Sequence, residues 1–245
     1  MMSERLLDLT DCVFGAEQSV RRARETVEDL RELTRSALRV LDEAETEAAH
    51  ADTTESDPDG RHLEAVADHL SRLTSRCTTI GEISHELNEH LEQATAALAR
   101  AGRLIDELDD DIDPQATQTV AQLAPRLAMV SDMVEVARPM SQTLSHNIAS
   151  ASTASQVLTP ATLMGPRTVD PRQVAASIRS AGQYLHRADE DARLAETVLD
   201  RAGATSRQTG RVAGELADHA RQSPREQLRR SPAASSPRGP SGPGR

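Results

Sequence analysis

Two stretches of this chain carry residues whose spacing invites a test for metal chemistry. His85-Glu86-Leu87-Asn88-Glu89-His90 approaches the zinc-protease pattern, in which two histidines four apart share one helix face. Here they are five apart, which swings them about 140° around a helix, so they cannot grip one ion together. Glu47-Ala-Ala-His50 and Glu82-Ile-Ser-His85 each spell the Glu-x-x-His half-site of di-iron bundles. In an antiparallel hairpin with Ala48 level with Leu63, facing positions sum to about 111, which places the half-sites roughly 30 Å apart along the axis. His50 and His62 meet near the turn in that register, where the expected role is solvent-facing.

The remaining candidates fail on spacing. Asp109, Asp111 and Asp113 imitate the opening ligands of a calcium loop, but Pro114 stands where glycine is needed and Val120 where the closing glutamate belongs. They read as an acidic cap on the next helix. Cys12 and Cys77 fall about 35 Å apart by the same arithmetic, far beyond the roughly 7 Å a disulfide tolerates. All 28 basic residues are arginine, which excludes a Walker loop and a Schiff-base lysine. No nucleophile elbow or dinucleotide turn occurs. The sequence therefore predicts no enzyme, and no catalytic, cofactor or metal site.

The elements that would position these residues are helical. Asp-Pro recurs at Asp57-Pro58, Asp113-Pro114 and Asp170-Pro171 at nearly equal intervals. Asp caps free amides, and Pro at the first helical position loses no hydrogen bond. Ser3-Glu4 can open a first helix similarly. Helices are expected over about 3–50, 57–110, 113–158 and 170–222, forming one bundle over 1–222.

Each quarter carries an apolar seam with alternating steps of three and four. The first runs from Leu6 and Leu9 to Ala48, and the second from Leu63 through Leu73, Ile80 and Leu91 to Leu108. A third joins Val120 and Leu123 to Leu158, and a fourth joins Val174 and Ile178 to Ala220. Sustained seven-residue rhythm implies long helices in supercoiled contact. Short links favour antiparallel neighbours, hence an all-α, up-down-up-down four-helix bundle, with two long coiled-coil hairpins that pair between chains as the rival arrangement. With aromatic residues at 1%, no thick ring-filled core is expected. Pro125 and Pro139 lie inside the third helix at its outermost heptad position, where bends can face water.

Two surfaces exceed what a plain bundle needs. Between Ala116 and Leu158 the third helix has only Arg126, Asp132, Glu135 and Arg138 as charges, and Met129, Met133, Val136 and Met140 form a second stripe beside its seam. Methionine stripes suit adaptable interfaces, although a bundle helix touching two neighbours also needs a wide apolar face. Leu7 and Phe14 share a face off the first seam. The fourth helix is weakened by an alanine-rich seam and by Gly182, Gly203, Gly210 and Gly214, so it should open first.

Net charge of −11 argues against nucleic-acid binding by the folded part. From Ser223 the heptads stop, and 223–245 reads as a disordered Pro/Ser/Arg tail with Arg225, Arg229, Arg230, Arg238 and Arg245. This tail admits electrostatic attachment to nucleic acid or an anionic surface. No apolar run spans a bilayer and no signal segment opens the chain, so a cytoplasmic location is expected. The reading favoured is a non-catalytic helical-bundle interaction or scaffold protein that is partnered by protein and self-associates. The alternatives are a tail-tethered nucleic-acid accessory and a helical substrate of a bacterial secretion system.

Overall fold

The computed structural model describes residues 2–52, 61–108, 114–156 and 171–230. They form four long helices: α1 (Met2–Asp52), α2 (Arg61–Asp106), α3 (Pro114–Gln156) and α4 (Pro171–Arg230). Among the described residues there is no strand. Helix α1 packs against α2 and α4, and α3 packs against the same two, which closes an antiparallel bundle.

Helices α3 and α4 begin at Pro114 and Pro171, the first helical positions that the Asp-Pro signals marked. The Asp57-Pro58 signal lies outside the described residues, as do Asp109, Asp111, Asp113 and Leu158. Helix α3 continues through both internal prolines, and both are exposed. Helix α4 runs on to Arg230, eight residues past the helix end expected at 222, so its range takes in Arg225, Arg229 and Arg230. Ser223-Pro224-Arg225-Glu226 is itself a helix-start pattern, with a cap, a proline at the first position and an acid in the first turn. Residues 231–245, with Arg238 and Arg245, lie outside the described part.

The seam residues are the core. Leu9, Leu30, Leu70, Leu73, Ile80, Leu87, Leu91, Leu123, Leu144, Ile148 and Ile178 are the bulkiest side chains wholly removed from solvent. Between them sit the small residues of α4, including Ala181, Ala188, Ala192 and Ala202, each fully buried. Thr34 and Thr209 bond back along their own helix, to the Leu30 carbonyl (2.7 Å) and that of Thr205 (2.8 Å), whereas the buried Ser141 hydroxyl has no such partner. A buried hydroxyl satisfied in this way costs little.

Polar pairs record the register of each face. Between α1 and α2 the pairs are Arg5 with the Glu107 carbonyl (3.1 Å), Arg76 with Ser36, His69 with Glu43 and His62 with Glu47. Their positions sum close to the value expected from the hairpin. Between α1 and α4 a ladder of arginines meets acids: Arg24 with Asp200, Arg31 with Glu196, and Arg35 with Asp189 at 3.6 Å. The exposed Arg24–Asp200 pair contributes about 0–1 kcal/mol, and Arg31–Glu196 is part-buried; together they mark the register of this face. The α2–α3 face carries a small hydroxyl cluster, in which Ser145 Oγ donates to Ser84 Oγ (3.2 Å) and Thr74 meets Ser155 (3.1 Å).

Candidate interaction surface

The expected stripe on α3 divides when it is placed in the bundle. Met133 and Met140 are half-buried against the core, whereas Met129 and Val136 stand half in solvent at 50% and 48% exposure. The seam occupies one line of the helix, and Met133 and Met140 sit on the side of it that touches a neighbour. Met129 and Val136 fall one step further round, a full seven residues apart, where no neighbouring helix covers them. On the same outward side lie Pro125, Asp132 and Pro139, all exposed. This surface is therefore narrower than the four-residue stripe, and weakly charged.

Phe14 and Leu7 also separate. Leu7 is partly buried against the core, while Phe14 is 44% exposed. The Phe14 ring lies over α4, where its Cε1 is 3.5 Å from the point a side chain on Gly210 would occupy, with Glu17 closer still. Phe14 thus covers a glycine gap in α4 more than it projects outward. Leu194, 42% exposed on α4, is an outward apolar residue that seam counting passed over. Its signal was present, since it stands off the seam between Arg193 and Ala195.

Both cysteines are free. Cys77 is buried in the seam, and burial pushes its thiol up to about 11. Cys12 is also raised, first by burial, with Arg100 opposing. Neither environment favours a thiolate, which is the reactive form.

A buried polar contact joins α3 to α4. Asn147 Nδ2 donates to Asp191 Oδ2 at 3.0 Å, and Asn147 is only 6% exposed. Burial holds the Asp191 carboxyl above its ordinary range, and the bond from Asn147 partly reverses this. One open groove, between α1 and α4, is lined by the charged residues Glu28, Arg31, Glu32, Arg35, Arg39 and Glu196.

At the turn end of the α1–α2 hairpin the structure brings together Glu47, His50 and His62. By contrast His85 pairs with Glu89 on its own helix at 3.4 Å, and both are exposed. Comparison with protein-family models, curated proteins and solved structures returned no match to this chain. The surfaces themselves must carry the functional reading.

Proposed function

We propose that this chain is a non-catalytic helical-bundle scaffold that self-associates through the outward face of α3. The supporting observation is the pairing of half-exposed Met129 and Val136 on the helix with the fewest charges. Large apolar side chains repeated one heptad apart on a weakly charged face suit a flat helix-to-helix contact. Two copies meeting across a two-fold axis bring the same patch to both sides, the commonest arrangement for a homodimer. Two unpaired thiols fit a reducing compartment, so the cytoplasm is the expected setting.

Light scattering of the double variant Met129→Glu, Val136→Glu tests the reading. The native chain should give a dimer mass at tens of micromolar and the variant a monomer mass, with helical content unchanged. A native chain that stays monomeric at every concentration, or a variant of undiminished mass, would refute it.

A second reading draws on the extension of α4, which carries Arg225, Arg229 and Arg230 on the end of an acidic bundle. It makes the chain an accessory that attaches to nucleic acid electrostatically. Salt-dependent affinity for duplex DNA, abolished by truncation at Ser223, would favour it over self-association.

A further inference from the structure

Glu47 and His50 lie one turn apart near the end of α1, and His62 stands in the first turn of α2. The antiparallel register lays these two helix ends side by side. His62 Nδ1 is 2.7 Å from Glu47 Oε2, and the His50 and His62 rings are 5.4 Å apart between centroids, inclined at 56°. One ligand atom from each of the three residues falls within 4.8 Å of the other two.

Tetrahedral zinc, with bonds of about 2.0–2.1 Å, holds its ligand atoms about 3.3 Å apart. The Glu47–His62 pair is already inside that separation. The remaining contraction falls to His50, the exposed member of the three. A carboxylate and two imidazoles are borderline donors suited to zinc, copper or nickel and ill suited to calcium or magnesium.

We infer that Glu47, His50 and His62 form a three-ligand site for a borderline divalent cation, Zn²⁺ foremost, that staples the turn end of the α1–α2 hairpin. Three protein ligands leave the fourth position to water or another donor. The site differs from the half-sites read in the sequence, because its third ligand comes from the facing helix and not from a second Glu-x-x-His pair. It stands independently of the self-association reading. On α1 and α2 the next titratable pair inward is Glu43 with His69, at 3.3 Å.

The test is a titration of the untagged, metal-stripped full chain with Zn²⁺, and separately with Co²⁺, whose visible absorption reports coordination geometry. One ion per chain should bind with a Kd below about 100 μM. His50→Ala and His62→Ala should each weaken it by about tenfold or more, while His85→Ala should leave it unchanged. Circular dichroism of each variant checks that the bundle is intact. Failure to saturate below that concentration, or undiminished affinity in either His50→Ala or His62→Ala, overturns the site. Equal weakening by His85→Ala would mark the binding as diffuse surface adsorption and overturn it too.

Discussion

Asn147 on α3 donates to Asp191 on α4 across 3.0 Å, in a bundle whose largest buried side chains are aliphatic. A polar pair at one depth penalises every sliding of α3 along α4, because a shifted register leaves the buried Asn147 amide without its partner. Asn147→Ala should cost about 1–3 kcal/mol by leaving the carboxylate without its donor. Urea unfolding of that variant measures it.

The same pair sets a pH dependence. Burial raises the folded-state affinity of Asp191 for a proton above that of the unfolded chain. Its contribution to stability is therefore greatest at low pH, and it fades as pH climbs from about 4 through the folded value. Asp191→Asn keeps an acceptor for Asn147 and removes the charge. Thermal midpoints compared at about pH 4 and pH 7 should show the variant gaining on the native chain at the higher pH, and a constant offset would contradict this.

The glycines of α4 divide into two kinds. A methyl group on Gly203 meets nothing within 4 Å, whereas one on Gly182 would come within 2.8 Å of Leu41 Cδ2. Gly203→Ala should stabilise the chain by about 0.5–1 kcal/mol through helix propensity alone. Gly182→Ala should recover less or turn destabilising, because the buried Leu41 must shift to admit it. Chemical denaturation of the two variants side by side decides this.

Thiol chemistry reports on the core. Cys77, with its thiol raised to about 11, should resist alkylation until the bundle unfolds. Cys12 is only partly covered and should react first. Mass spectrometry after brief treatment with iodoacetamide at neutral pH distinguishes them, and early labelling of Cys77 would place the α2 seam in a looser state than its burial implies.

Hydrogen exchange ranks the helices. The seam of α2 is rich in leucine, while that of α4 is half alanine, each Leu-to-Ala difference removing about 2 kcal/mol of apolar burial at roughly 0.8 per carbon. Amides of α4 should exchange first. Slowest exchange in α4 would show that close approach to α1, at Gly182 and Gly210, outweighs the missing carbons.

The seams were legible because a seven-residue rhythm needs only counting. From Leu6 to Ala44 every counted position of α1 is buried. The meeting of His50 with His62 was legible for a related reason, since a short link fixes the hairpin register. Asn147 and Asp191 were not, because the stretch between α3 and α4 is longer and leaves their relative height open. Nor could the sequence divide Met129 from Met133, since that depends on which flank of α3 its neighbours cover.

Pro125 and Pro139 give the outward side of α3 a property its apolar residues do not announce. Each proline lacks an amide hydrogen, so the carbonyls one turn earlier, at Ala121 and Glu135, keep unspent lone pairs on the exposed flank beside Met129 and Val136. An approaching surface that is purely oily would strand those oxygens. A second copy docking here must therefore either bring N–H or O–H donors to these two oxygens, fourteen residues apart, or leave them open to water.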